Sequence, residues 1–278
     1  MAIDVDVWSP LKWVTVAIVL ALSMSASRAQ EAHETATPPQ SSGWIVTLGG
    51  FGDLEPKFEG ARHHAIWYHP IIDYRAAGSR EWLSLPFDGF DFPLIETRSF
   101  RADPVVTGRW ERDVSLERGF RHVGSINLSA ETGVFVEWWP IEQLRTRAEV
   151  RDAVLGARCI VADLSTDWVW RPNKQWTVTA GPRLSIADSA FMRSYYSVDD
   201  EQSVTSGLPT YSAPPGVRSY GAGSMVKYKW SDSFATMAFV ECQRLANSAA
   251  ESPLIDDRGS PNQLTVGGGM SYSFVVGK

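Results

Sequence analysis

The chain has 278 residues, 44% hydrophobic and 21% charged, with a formal net charge of −6. That length suits one large domain, and the acidic balance, with no basic stripe, excludes a nucleic-acid-binding protein. Beyond the first 29 residues no run approaches the ~20 apolar residues of a membrane-spanning helix, so any crossing must be made by strands.

Lys12 precedes an apolar run over residues 13–22, and Ser27-Arg28-Ala29 supplies the small residues of an A-x-A-like cleavage site. The run is too short for a spanning helix, so residues 1–29 read as a cleavable export signal. No cysteine follows the cleavage site, which argues against a lipoprotein. Residues 30–42 are polar and contain Pro38 and Pro39, as expected of a disordered periplasmic tail.

From residue 43 onward the chain alternates in character. Residues 43–52 predict a first strand, and residues 64–74 a second with Ile66, Tyr68, Ile72 and Tyr74 on one face. Residues 81–90 and 99–110 predict two further strands, interrupted by prolines and charges, and residues 112–124 a charged loop. His63, His64 and His69 are the one histidine cluster. With no acidic residue at helical ligand spacing they read as barrel-rim residues, and neither metal nor cofactor is expected.

The middle of the chain is clearer. Residues 125–139 and 144–151 form the next two strands, joined by a short turn. In the second, Leu144, Thr146, Ala148 and Val150 share one face, and Arg145, Arg147, Glu149 and Arg151 the other. An arginine at the bilayer mid-plane costs ~2–4 kcal/mol, so the charged row must line the lumen or meet solvent. Residues 157–170 place Ile160, Ala162, Leu164, Trp168 and Trp170 outward, and Asp163 and Asp167 inward. Neighbouring segments usually pair, which sets Arg145, Arg147 and Arg151 against Asp163 and Asp167. The row is either an ion-pair network filling a narrow barrel or a charged constriction selecting anionic solutes. The small lumen of a twelve-stranded barrel favours the network.

Residues 175–187, 217–230, 234–245 and 263–274 complete the set. Val226, Tyr228 and Trp230 point outward with Lys227 and Lys229 inward, and Leu264, Val266, Met270, Tyr272 and Phe274 form the apolar face of the last strand. Trp138, Trp139, Trp168, Trp170, Trp176 and Trp230 sit near strand ends, where interfacial girdles form. Cys159 shares parity with Asp163 and Cys242 with Ala238, so the two thiols lie on opposite faces and stay free. Turns at 140–143, 171–174 and 231–233 are short, whereas 188–216 and 246–262 are long; short turns are periplasmic and long loops extracellular. The pattern predicts an all-β, transmembrane, antiparallel up-and-down β-barrel over residues 43–278, monomeric, of twelve strands with ten as the alternative.

Residues 181–198 read GPRLSIADSAFMRSYYSV, residues 201–213 EQSVTSGLPTYSA and residues 252–263 SPLIDDRGSPNQ, and the last strand carries GMSYSF. This series resembles the MipA/OmpV family of outer-membrane proteins, named in part as MltA-interacting proteins. The segment His69-Pro70-Ile71-Ile72-Asp73-Tyr74 is similar to an early strand of that family. Phe191 stands where the family usually has Tyr, Tyr196-Ser197 where it has Phe-Gly, and VVGK follows Phe274. The resemblance implies a barrel held by outer-membrane lipid in a Gram-negative cell. It also implies a non-enzymatic scaffold that keeps a lytic transglycosylase near a murein polymerase. The alternative function is a small-solute channel or receptor. No G-x-S-x-G or other nucleophile-and-base arrangement is present, so no enzyme is expected. Asp188, Tyr195, Tyr196, Gln202, Gly207, Pro209 and Tyr211 mark the long extracellular loop, which either caps the barrel mouth or binds a partner.

Overall fold

The computed structural model describes residues 43–109, 126, 129–154 and 159–277. The export signal, the polar tail and the charged loop read at 112–124 lie outside the described residues.

The described residues form one antiparallel sheet of twelve strands. They are β1 (Trp44–Pro56), β2 (His64–Ala76), β3 (Phe90–Asp91), β4 (Ile95–Glu96), β5 (Phe100–Arg109), β6 (Ser129–Ile141), β7 (Leu144–Ala153), β8 (Ile160–Trp170), β9 (Trp176–Ala187), β10 (Gly216–Lys229), β11 (Phe234–Leu245) and β12 (Asn262–Val276). Ten are long, and β3 and β4 have two residues each. The sheet runs β2-β1-β12-β11-β10-β9-β8-β7-β6-β5-β3, with β4 also on β5. First and last long elements therefore meet, from Trp44 opposite Val276 to Leu54 opposite Val266. Among the described residues no ladder joins β2 to β3 or β5, so the barrel is nearly closed, with one seam.

Alternation decides which side of the wall each residue takes. Leu48, Ile66, Ile72, Leu164, Val226 and Met270 stand exposed on the outside. An apolar surface of this extent needs lipid, not water. Among the described residues no helix is long and apolar enough to cross a membrane, so the strands do the crossing. Trp138, Trp168, Trp170, Trp176 and Trp230 are exposed on this outer face. Trp139 departs from the girdle reading. It is 3% exposed and its Nε1 donates to Glu137 Oε1 at 2.7 Å inside the barrel. Consecutive residues of a strand face opposite sides, so Trp138 and Trp139 cannot both meet lipid.

Residues 81–90 do not form the expected strand, and only Phe90 enters a ladder. The segment turns into the barrel instead. Leu83 and Leu85 bury against Trp139, Val169, Met225 and Phe239, and Asp88 reaches the lumen arginines. The local sequence explains this. Pro86 has no N–H for a ladder, Gly89 takes a φ of 73°, and the Asp88 carboxylate accepts from the Leu85 N–H at 2.8 Å to close a turn.

Room for these inward side chains comes partly from β12. A Cβ on Gly267 would lie 2.4 Å from Phe239 Cζ and 2.8 Å from Asp53 Cβ, and one on Gly269 would lie 2.5 Å from Phe51 Cβ. The glycines leave the lumen wall bare where neighbouring strands contribute bulk.

The two long loops are folded. They carry α1 (Ser189–Tyr196), α2 (Asp200–Ser206), α3 (Asn247–Ala250) and a π-turn (Leu254–Arg258). Phe191, Met192, Tyr195, Tyr196, Ala249 and Ile255 pack onto Ala153, Cys159, Val161, Ala187 and Leu245, so the loops roof one mouth of the barrel.

Candidate functional site

The lumen holds a wall of paired charges built by parity. On β7, Arg145, Arg147, Glu149 and Arg151 recur every second residue on the inward face, and β8 sets Asp167 opposite Arg145 and Asp163 opposite Glu149. On β6, Glu131 and Glu137 share the inward face with Phe135.

Arg145 is 0% exposed. Its guanidinium donates to Glu137 Oε2 at 2.9 Å, to Asp88 Oδ2 at 2.7 Å and to Asp167 Oδ2 at 3.4 Å. Arg147 donates to Glu149 Oε2 at 2.6 Å and to the Asp88 carbonyl at 2.9 Å, with its guanidinium 3.4 Å from the Phe135 ring centroid. Arg151 bridges Glu149 at 2.6 Å, Glu131 at 3.2 Å and Asp163. Arg183 of β9 meets the far oxygen of Asp167 at 2.7 Å. All six residues of the predicted charge row thus sit in one connected network. Asp88, Glu131 and Glu137 complete it. The sequence reading missed all three: strand parity on β6 could have found the two glutamates, but nothing local places Asp88 there, because it arrives on a segment that reads as a strand.

Asp88 lies outside the spanning strands. Burial alone would raise its carboxyl, but Arg145 and Arg147 outweigh burial and hold it below the usual carboxylate range. Each arginine here has several carboxylate partners, which a buried cation needs if desolvation is to be offset.

The network continues under the loop roof. Arg218 of β10 donates to Glu59 at 2.8 Å, and Arg109 of β5 pairs with Glu131 at 2.6 Å. The Tyr196 hydroxyl donates to the same Glu59. Burial, then Glu59, raises the Tyr196 phenol well above its ordinary value, and burial pushes Tyr195 up to about 12. The remaining loop residues hold the roof in shape. Asp188 caps α1 by accepting from Phe191 N–H at 2.8 Å, and Gln202 and Asp199 form a reciprocal capping box on α2. Gly207 ends α2 at a φ of 75°. Tyr211 pairs with Val198 and donates its hydroxyl to the Ser248 carbonyl at 2.9 Å, which ties the two loops together. Pro209 is exposed beside them.

Two cavities flank this wall. One of about 820 Å³ extends to the short-turn end, lined there by Glu81, Lys229, Asp232 and Ser273. The other, about 300 Å³, lies beneath the loops beside Arg109, Tyr195 and Arg218. Both are bounded by Glu55, Phe87, Thr107 and Gly108.

One further cluster was not visible in the sequence reading. His69 is not a rim residue; it faces the lumen, stacked on Phe51 at 4.7 Å between ring centroids. Its ligand-capable atoms and those of Asp53 and Glu55 all lie within 4.8 Å of one another. The clue was parity on two strands read jointly, since Asp53 and Glu55 share a face of β1 and His69 lies across from Phe51 on β2. His64 opens β2 and His63 precedes it.

The class of protein these residues build is a transmembrane β-barrel of the outer-membrane type, its lumen lined with paired charges and one mouth roofed by its own loops. The chain belongs to the MltA-interacting protein MipA family, whose pattern matches residues 48–274. No protein of curated function matches it. Among solved structures, an outer membrane channel from Pseudomonas putida F1 is similar at 10% identity and a TM-score of 0.45, covering 86% of this chain and 100% of that one. The NanC porin follows at 8% identity and a TM-score of 0.39, covering 83% and 100%. The N-terminal barrel domain of Pseudomonas aeruginosa OprF gives 8% and 0.28, covering 83% and 97%. At that distance none of them passes a function to this chain.

Proposed function

We propose that this protein is a non-enzymatic outer-membrane scaffold whose short-turn, periplasmic end docks a murein-cleaving lytic transglycosylase and, through it, a murein polymerase. The observation that carries the reading is the Arg145 network. A conducting barrel needs a wet path with mobile or one-signed charges along it, whereas here the lumen arginines are spent on internal carboxylates and the opposite mouth is roofed. What remains open is the periplasmic end. The family description supplies the partner class, and the turns at 140–143, 171–174 and 231–233 supply the docking face. Export through a cleaved signal and life as a monomer in outer-membrane lipid complete the reading.

The test is capture of a purified lytic transglycosylase by the full chain in lipid nanodiscs. Arg171→Ser together with Lys174→Ser should weaken capture at least tenfold; unchanged capture would remove the docking face. A second reading, a small-solute channel or receptor, rests on the cavity of about 820 Å³. Planar-bilayer recording separates the two, because the scaffold reading expects electrical silence from a folded, heat-modifiable barrel, and reproducible ion-selective steps would replace it with the channel.

A further inference from the structure

We infer that Asp53, Glu55 and His69 form a binding site for a first-row divalent cation of the zinc class inside the barrel. β1 sets the two carboxylates two residues apart on its lumen face, and β2 brings the imidazole in diagonally from the position opposite Phe51. Their ligand-capable atoms lie within 4.8 Å of one another. Ligands on one tetrahedral ion, at bonds of ~2.1 Å, sit about 3.4 Å apart, so small side-chain rotations complete the site.

A second observation points the same way. The Asp53 side chain is 1% exposed, yet among the described residues neither of its oxygens accepts a hydrogen bond, and its ion-pair contact there is His69 Nε2 at 3.4 Å. A buried carboxylate in this state is costly unless something charged meets it. The bland reading is a His69–Asp53 ion pair. That pair provides a single positive charge against two carboxylates. Among the described residues no lysine or arginine is ion-paired with Asp53 or Glu55; nearby Arg109 and Arg218 go to Glu131 and Glu59, and Arg183 to Asp167 and Glu241. A divalent cation balances both carboxylates at once.

The surroundings are built for it. The Phe51 ring, 18° from the His69 plane, fixes the imidazole, and Gly267 leaves clear the space that a Cβ would take from Asp53. Glu55 borders both cavities, so an ion can arrive from the short-turn end. One imidazole with two carboxylates suits zinc or manganese better than calcium or magnesium, which take oxygen ligands. Three protein ligands leave a fourth position facing the cavity.

Tag-free full-length barrel, folded in detergent, should be dialysed against Zn²⁺ and its metal content measured. Wild type should hold about one zinc per chain, with a higher temperature of conversion from the folded to the unfolded gel band. His69→Gln, Glu55→Gln and Asp53→Asn should each weaken binding at least tenfold. Replacing His33, His63, His64 and His122 together with Gln should leave the bound zinc in place. If Asp53→Asn does not fold, the His69 and Glu55 variants decide. Failure of the wild type to bind, or equal binding by folded His69→Gln barrel, would overturn the site.

Discussion

Arg145 shows how a single residue can be indispensable in a barrel without touching solvent or ligand. It answers three carboxylates on three separate segments, Asp88, Glu137 and Asp167. Removing one partner of a buried, multiply paired charge typically costs ~3–5 kcal/mol, because the carboxylates left behind are uncompensated. Arg145→Ala should therefore lower the urea midpoint of the refolded barrel far more than Arg171→Ala on the exposed turn, and equal midpoints would contradict the network. Asp88 adds a pH dependence. Its folded carboxyl lies below the ordinary range because Arg145 and Arg147 outweigh burial. A depressed group of this kind stabilises the fold above its unfolded value of ~3.9 and loses that contribution as pH falls through the folded value. The urea midpoint should drop as pH is lowered from about 5 to 3, and Asp88→Asn should flatten the drop. Cys159 gives a third expectation. Burial pushes its thiol up to about 11, so a maleimide at pH 8 should label it only after unfolding.

At the scale of elements, the segment between β2 and β3 is the informative one. It occupies the lumen where a strand was expected, and it holds Asp88 against two arginines. Replacing residues 82–89 with a Gly/Ser linker of equal length should strip that plug. On the scaffold reading the intact barrel is silent in planar bilayers, and conductance steps should then appear for the variant; continued silence from a folded variant would show that the wall and roof suffice to block the lumen. The misreading has a physical cause. In Trp82-Leu83-Ser84-Leu85, apolar residues sit two apart, as on a strand, and a segment lying against a lumen wall produces the same period as one paired in it. β6 to β11 were legible because one face meets lipid and the other carries charge, which fixes the parity of its neighbours, and β12 because apolar residues alternate with Gly and Ser. Trp139 was misplaced because an indole is at home on either side, although it shares parity with the inward Glu137. The helices inside the long loops left only weak traces. Asp188 and Asp199 cap α1 and α2, but both helices are short; α1 owes its place to packing on the barrel, whereas α2 buries no residue and is held by its capping box. The Asp53–Glu55–His69 cluster was hidden for a different reason: it joins two strands whose mutual register is not written in either.

For the whole molecule, the distribution of charge says something about how the barrel comes to exist. Arg145 sits on β7, while its partners come from β6, from β8 and from the segment ahead of β3. Arg183 on β9 reaches back to β8 and across to Glu241 on β11. A hairpin entering lipid on its own would match only some of these charges: β7–β8 joins Arg145 to Asp167 but leaves Glu137 and Asp88 behind, and its charged face would turn toward hydrocarbon, at ~2–4 kcal/mol for each mid-plane arginine. Stepwise insertion, strand after strand, is thereby disfavoured. Curling while the concave side is still wet lets the chain enter the bilayer with its charges already matched, so the same residues that line the finished barrel also favour a concerted order of assembly.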